Sequence, residues 1–527
     1  MKLIYQVSDK PPIAKLLVFS LQQLLAIITA TIVVPVIVNG ALVGSGLEPV
    51  LDSAAALVGA GFGTLTYLLF TKFKSPVFLG SSFAFISPLI GACAFGYFGV
   101  LVGAAFAAAV YVLIAVIIKF AGTKWVNKLM PPVVIGPTVA LIGLSLAGNA
   151  VGDLQSISGG AQAGSYNLVA IFIGLFTFFV IVFCSVKGNK TMKLIPFVIG
   201  ILCGYALAGF FSIFGYACKV EYLKIIDFSA LVNNFKPIGI TSFLNYPDFT
   251  FLHANTNNAL TGAGVANIAL LYIPVSFVVF AEHIADHKNI SSIIEKDLLQ
   301  DPGLHRTLLG DGVGSFVGSI FGGVPNTTYG ESIGCVAITK NASVVSIFGA
   351  ACMAIVLAFI SPVIAFINTI PSCVMGGVCL SLYGFIAVSG LNMIKNVDLG
   401  ESKNLFVVSS ILIAGVGGLS LQFGLATKGE AIITITSIAT ALIIGIIVNI
   451  AFSNKKNSAD PEAVGDSAAS GNAAAARDVA DAEAAEEAAA EEEKQAAHDE
   501  VFEDTHSKAQ DIEDAHQASI EEKQSKE

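Results

Sequence analysis

Long apolar runs separated by short polar stretches fill the chain from about residue 14 to residue 452. A membrane-spanning helix needs about twenty largely apolar residues, and the pattern predicts fourteen such segments, of which the third, ninth and tenth are short and interrupted. They lie near residues 14–38, 49–70, 76–93, 98–119, 130–147, 166–186, 193–215, 265–286, 306–322, 326–340, 343–366, 371–394, 404–424 and 431–452. The chain is therefore predicted to be an all-α polytopic membrane protein.

The positions of lysine and arginine support this number of spans. If residues 1–13 are cytoplasmic, nineteen Lys and Arg residues of the membrane body and its flanks face the cytoplasm, and four (Lys219, Lys224, Lys236 and Lys428) face the other side. Cytoplasmic loops carry an excess of Lys and Arg, and one omitted span would invert every later loop. We therefore expect a multi-pass protein of the cytoplasmic (inner) membrane with both termini in the cytoplasm.

The predicted spans divide into two equal sets. Seven lie in residues 14–215 and seven in residues 265–452, on either side of a long extracytoplasmic loop at residues 216–264. An odd number of spans in each set gives the sets opposite orientations, which is the arrangement of an inverted repeat. The interrupted segments SSFAFISP and NTTYGESIG lie about 250 residues apart, the same offset as the first spans of the two sets. Paired interrupted segments indicate the binding site of a transporter.

Composition and charge restrict the possible partners. The chain is 55% hydrophobic and 13% charged, whereas soluble domains carry about 25% charged residues. From residue 457 onward, 21 Asp and Glu face 5 Lys and Arg, and the rest of the chain carries 23 basic and 17 acidic residues. A mildly basic membrane body and an acidic tail predict a lipid-bilayer environment and no nucleic-acid partner. The Ala/Glu-rich tail, residues 453–527, is predicted to be disordered or a solvated helix.

Glu282 and Glu331 are the candidate site residues with the clearest physical rationale. Both lie in stretches otherwise apolar enough to enter a membrane, SFVVFAEHIADHK and GGVPNTTYGESIGCVAI. A charge at bilayer depth costs at least about 2–3 kcal/mol and usually faces a cavity or a transport pathway. Asp286 follows Glu282 by one helical turn and shares its face. A buried carboxylic acid can hold a proton at neutral pH and release it to water, so these acids make proton coupling plausible.

The same segments provide groups that suit a planar, hydrogen-bonding ligand. Two carboxylates can accept hydrogen bonds from ring N–H groups, and free backbone N–H groups near Phe83 and Gly330 can donate to ring carbonyls. Phe83 and Tyr329 offer flat faces for stacking. A nucleobase is a molecule of this kind. The eight cysteines show no CxxC motif and no His/Cys cluster, so no metal and no cofactor is predicted, and no nucleophile–base pair indicates an enzyme.

Three further polar residues adjoin the candidate acids. His283, next to Glu282, is predicted to pack against a neighbouring helix. His287 is expected to be solvated at the cytoplasmic end of its span. Asp311, in LLGDGVGS, is a second candidate that could orient the interrupted segment beside it.

Five motifs carry a resemblance to a known family: AEHIADH, KDLLQDPGLHR, PNTTYGESIG, LGSSFAFISP and MGGVCLSLYG. They resemble the nucleobase–cation symporter family of the nucleobase–ascorbate transporter type, on its uracil permease branch. The resemblance covers residues 10 to 452 in order and with matching spacing, and the acidic tail has no counterpart in it.

The resemblance implies a fourteen-span, 7+7 inverted repeat divided into a core domain and a gate domain. The core would comprise spans 1–4 and 8–11, with short antiparallel strands in the third and tenth, and the gate would form a homodimer. By position, Glu282 and Glu331 would bind the uracil ring, assisted by backbone groups at Phe83, Gly330 and Glu331. The residues expected to line the pocket are Ala30, Tyr329 and Tyr383.

Two departures from the family pattern concern ion coupling. Asp286 and Gln23 each stand where the best-known uracil transporter pattern has a histidine. We therefore predict uracil import by proton symport, with Asp286 and Glu331 carrying the proton. Sodium coupling, a purine or another pyrimidine substrate, and an anion exchanger or channel of the related fold remain open alternatives.

Overall fold

The computed structural model describes residues 3–452 except 123, 158–163, 237, 250–259, 396 and 424–432. The predicted acidic tail, residues 453–527, therefore lies outside the described residues. In the first half of the chain the elements are α1 (Ile13–Gly44), α2 (Ser53–Phe70), β1 (Leu79–Ser81), α3 (Ile86–Cys93), α4 (Gly96–Ala121), α5 (Lys124–Leu129), α6 (Pro132–Gln155), α7 (Leu168–Val186), α8 (Lys190–Leu194), α9 (Pro196–Cys218) and α10 (Ser229–Asn234). In the second half they are α11 (Gly262–Ile294), α12 (Leu304–Ile320), β2 (Asn326–Thr328), α13 (Gly330–Thr339), α14 (Val344–Ala358), α15 (Ser361–Ile367), α16 (Ser372–Met393), α17 (Ser402–Val416), β3 (Leu421–Phe423), β4 (Ile433–Ile435) and α18 (Ser437–Ala451).

The described part of the chain contains eight helices that are long and apolar enough to cross a membrane: α1, α2, α4, α6, α7, α9, α11 and α16. Shorter apolar helices occupy residues 83–93, α14, α17 and α18. Every predicted span overlaps with one helix, two consecutive helices, or a strand with a helix. The mostly helical, multi-pass character is thus confirmed, and the number fourteen stays a prediction.

The bounds of several predicted spans were wrong. The span expected at 265–286 continues to Ile294 as α11, a helix of 33 residues. The span expected at 343–366 is two helices, because the chain leaves the helical path before Ser361 and Pro362. Proline lacks the N–H that a continuing helix needs and is favoured at a new helix start.

The last two predicted spans also differ, because their facing ends form a second two-stranded sheet. β3 and β4 pair antiparallel, with Gln422 opposite Thr434, where continuous helix was expected at 404–424 and 431–452. The alternating Ile and Thr of β4 favour a strand, which leaves α17 and α18 with 15 residues each. The long loop predicted at 216–264 contains the short helix α10.

The third and tenth predicted segments meet as the strands β1 and β2. The strands run antiparallel, with Leu79 opposite Thr328, Gly80 opposite Thr327 and Ser81 opposite Asn326. Helix α2 holds this crossing, since Thr64 Oγ1 lies 3.0 Å from Leu79 N and 3.2 Å from Leu79 O. Each strand leads into a short helical segment, at Phe83 and at Gly330 respectively. The strands that the resemblance implied are therefore present, with their pairing inside the protein.

Glycines allow a close helix crossing beside these strands. A Cβ on Gly59 of α2 would lie 2.5 Å from Gly318 O of α12, and one on Gly63 would lie 2.8 Å from Gly314 O. Small residues at such spacing let two membrane helices approach backbone to backbone. Helices α6 and α16 cross in the same way, because a Cβ on Gly390 would lie 2.2 Å from Ala140 N. In the predicted repeat, both crossings pair equivalent helices of the two halves.

The long helices pack in two groups. One contains α1, α2, α4, α11, α12 and α14 around the strands β1 and β2, and the other contains α6, α7, α9, α16, α17 and α18. Contacts between the groups include those of α11 with α6, α18 and β4, of α1 with α9, and of α13 with α8. The strand crossing, with its interrupted helices, therefore lies in the first group and close to the second.

Candidate functional site

The predicted carboxylates of α11 lie next to the strand crossing. Glu282 and Asp286 are both half-buried, and their one-turn spacing places them on the same side of the helix. Asp286 Oδ2 accepts a hydrogen bond of 2.6 Å from Thr328 Oγ1, at the end of β2. Among the described residues, the Glu282 carboxylate has no hydrogen-bond partner. One acid is therefore fixed to β2, and the other has both oxygens free for a ligand.

The third carboxylate belongs to the helix that follows β2. Glu331 is the second residue of α13 and is half-buried, and Gly330 before it is exposed. The first N–H groups of a helix have no partner within that helix, so acceptors on a ligand can bind there. Tyr329 precedes them and is buried, with its hydroxyl donating to Ser81 O at 2.9 Å. This hydrogen bond joins the two interrupted segments at the candidate site.

Aromatic rings border the site on the side of the second helix group. Phe83 opens the short helical turn after β1, and its ring meets the edge of Tyr383 of α16 with centroids 5.9 Å apart at 79°. Ala30 of α1 is buried, and Ser81 Oγ donates to the carbonyl of the next residue, Thr31, at 2.9 Å. The predicted pocket residues thus come from α1, the turn after β1, α11, the start of α13 and α16. Their role in binding stays a prediction.

Gln23 of α1 extends the site toward α13. Its Nε2 donates to Ser332 O at 3.3 Å, and its Oε1 is buried without a partner among the described residues. Ser332 in turn accepts from Phe78 N at its hydroxyl, at 3.1 Å. The glutamine therefore contacts the helix that carries Glu331.

A cavity of about 430 Å3 reaches the site at Phe83. It extends between α3, α6 and α11 to the ends of α17 and α18, and it contains both apolar and hydroxyl-bearing side chains. Polar members of its wall include Ser87, Ser145, Asn149, Thr436 and Ser437. Its volume exceeds that of a single small ring, and Phe83 is the residue of the candidate site that belongs to its wall.

Behind the carboxylates, α11 carries a buried polar network that sequence reasoning did not assemble. His283 Nδ1 donates to Asp311 Oδ2 at 2.7 Å, and its Nε2 lies 3.0 Å from Thr307 Oγ1. His287 Nδ1 donates to the carbonyl of His283 at 2.8 Å, and its Nε2 lies 2.6 Å from the hydroxyl of Tyr67. His283 thus packs on α12 as expected. The expectation of a solvated His287 was wrong, and Asp311 contacts His283 instead of orienting the interrupted segment.

The relatives of the chain decide its family. Residues 14–423 match the model of the family described as the Permease family. The chain belongs to this permease family. It is 37% identical to a uracil permease of Bacillus caldolyticus over 462 residues, which cover 87% of this chain and 97% of the relative. It is also 37% identical to a uracil permease of Escherichia coli K12, over 84% of this chain and 94% of the relative. This permease is accordingly a multi-pass membrane transport protein and not an enzyme.

Solved structures share the permease fold. The structure of SLC26A9 superposes with a TM-score of 0.54 at 11% sequence identity, covering 83% of this chain and 65% of the other. A murine Slc26a9 anion transporter in an inward-facing state also gives a TM-score of 0.54, at 12% identity over 84% of this chain and 69% of the other. At these identities the likeness concerns the fold alone.

Proposed function

We propose that this permease imports uracil across the cytoplasmic membrane by proton symport. The observation that carries the proposal is the packing of α11, which carries Glu282, against α13, which begins at the exposed Gly330 and has Glu331 as its second residue. The chain is 37% identical to two uracil permeases, and it matches them over 94–97% of their length. The proposed transport activity therefore rests on both the site and the family.

Uracil has the chemistry that these groups suit. It is a planar ring with two N–H donors and two carbonyl acceptors. Glu282 and Glu331 would accept from the N–H groups, and the backbone N–H groups at Phe83, Gly330 and Glu331 would donate to the carbonyls. Charged acceptors form the stronger hydrogen bonds, of about 1.5–3 kcal/mol each. Tyr329, Ala30 and Tyr383 would then enclose the ring.

Proton coupling would involve Asp286 and Glu331. Two carboxylates close together in an apolar surrounding favour the uptake of a proton by one of them, and Asp286 is already held by Thr328. Binding of uracil to Glu331 would change how tightly these carboxylates hold that proton. In this scheme the first helix group is the core domain, and the second is the gate domain, which also forms the homodimer interface. The core moves against the gate and thereby exposes the site alternately to the two sides of the membrane. Sodium coupling and other nucleobases are the alternatives within the family.

An anion exchanger or channel is the alternative from a different class, since SLC26A9 has the same fold. Fold does not determine function. An anion needs positive charge at its site, whereas the described residues of this site present Glu282, Asp286 and Glu331. The carboxylates therefore favour the nucleobase.

The test replaces Glu331 with glutamine. Glu331→Gln keeps the size of the side chain and removes its charge, so we expect uracil uptake into proteoliposomes to be lost while folding is preserved. Glu48→Gln, at an exposed loop position, is the matched control and should transport like the wild type. Near-normal uptake by Glu331→Gln would contradict the site.

A further inference from the structure

The face of α11 next to the carboxylates is fixed by two histidines. Consecutive residues of a helix are rotated by about 100° about its axis. His283 therefore lies about 100° from Glu282, and His287 lies about 100° from Asp286 in the same direction. The two imidazole rings stack, with centroids 4.0 Å apart and an angle of 27°. Both histidines are completely buried. The motif therefore gives α11 one face with two acids and an adjacent face with two histidines.

Each histidine is bonded to a different helix of the first group. His283 contacts Asp311 and Thr307 on α12, and the ring of Tyr111 on α4 meets it edge-on at 6.3 Å. His287 contacts Tyr67 of α2, whose hydroxyl also lies 2.6 Å from Ser75 Oγ. Polar contacts with α12 and α2, together with the ring contact with α4, thus oppose rotation of α11 about its axis.

The rotation of α11 determines where its carboxylates point. Side chains extend roughly 5–6 Å from a helix axis, so a rotation of about 10° would move the Glu282 carboxylate by about 1 Å. Binding groups must be held within about 0.5 Å of their productive positions. Glu282 has no hydrogen-bond partner of its own among the described residues, so its placement depends on the helix that carries it.

We propose that His283 and Asp311 are positioning residues that set the rotation of α11, and thereby aim Glu282 at the substrate. The proposal rests on the proposed function, because it takes uracil as the ligand of Glu282. His283 and Asp311 do not touch the ligand. They act on affinity through the orientation of the helix.

The test measures equilibrium binding of radiolabelled uracil to the purified full-length protein, together with thermal unfolding. The paired replacement His283→Phe with Asp311→Leu removes the hydrogen bond without leaving a buried charge unpaired, which limits the loss of stability. We expect it to weaken uracil binding about tenfold. Asp311→Asn keeps an acceptor for His283 Nδ1 and should bind within about twofold of the wild type. Tyr97→Phe removes hydrogen bonds from α4 to Ser319 O of the same α12 and to Gly323 O just beyond its end and should not change affinity.

A double-mutant comparison separates orientation from general loosening. The effect of the paired replacement should be non-additive with Glu282→Asp, on the same helix, and additive with Glu331→Asp, on α13. If the paired replacement does not fold, Thr307→Val removes the contact at His283 Nε2, together with the local hydrogen bond from Thr307 Oγ1 to Leu304 O. This variant leaves the bond between His283 and Asp311 in place and should weaken binding about threefold. Wild-type affinity in the folded paired variant or in Thr307→Val, additivity with Glu282→Asp, or an equal loss in Tyr97→Phe would overturn the proposal. Failure of the wild type itself to bind uracil would instead refute the proposed function.

Discussion

Adding one methyl group at Gly80 should disturb the candidate site without touching its carboxylates. Gly80 is the central residue of β1, and a Cβ built on it would lie 2.3 Å from Tyr329 Cε2 and 2.4 Å from its Cζ. Carbon atoms in contact are normally about 3.5–4.0 Å apart. In Gly80→Ala the tyrosine ring must therefore move by more than about 1 Å, and the hydrogen bond from its hydroxyl to Ser81 O would be broken or stretched.

The expected size of the effect follows from the cost of overpacking. Extra methyl groups in a packed interior cost about 1–3 kcal/mol. If this strain falls on the ligand-bound site, uracil binding weakens about 5- to 150-fold, since each 1.4 kcal/mol is a factor of ten. The assay is equilibrium binding of radiolabelled uracil to purified protein. Gly334→Ala is the matched control, because it lies in α13 and its Cβ would have nothing within 4 Å. Gly80→Ala binding uracil within twofold of the wild type, in a folded protein, would refute the reasoning.

Two further substitutions test other contacts of the structure. Thr328→Val removes the 2.6 Å hydrogen bond to Asp286 with little change of shape. Uracil uptake should fall about tenfold or more, because hydrogen bonds to charged groups contribute about 1.5–3 kcal/mol and each 1.4 kcal/mol is a factor of ten; an unchanged uptake rate would show that this bond is not used. Gly59→Ala would place a Cβ 2.5 Å from Gly318 O, and thermal unfolding should show that the free energy of unfolding falls by about 1–3 kcal/mol. Gly152→Ala, whose Cβ would have nothing within 4 Å, should not change stability. Equal stability of the two variants would contradict the tight crossing of α2 and α12.

Hydropathy predicted the helices well because a membrane helix must be apolar along nearly its whole length. It could not distinguish β4 from the start of a membrane helix, since the hydropathy of the Ile and Thr residues in ITITS is compatible with both a strand and a membrane helix. It also ended the span of Glu282 eight residues too early. Asp286, His287 and Lys288 look like the polar end of a span, but α11 continues to Ile294. Partners on β2 and α2 accommodate the side chains of Asp286 and His287.

The candidate site was predictable to the extent that its chemistry is local in sequence. Glu282, Asp286 and Glu331 could be selected because charge is costly in apolar segments. The partners of His283 and His287 could not, because Asp311 and Tyr67 lie 28 and 220 residues away and only packing brings them together. The glycines of GAGFG and GDGVG were a usable signal for the crossing of α2 and α12, since small residues recur there at helical spacing.

The central claim, proton-driven uracil import, is tested most directly by radiolabelled uracil uptake into sealed vesicles that contain this permease, with an inward proton gradient and no sodium. The account predicts accumulation above equilibrium that a protonophore abolishes. Uracil binding without gradient-dependent accumulation would contradict proton symport and favour sodium coupling or facilitated diffusion, and absence of uracil binding would contradict the proposed substrate.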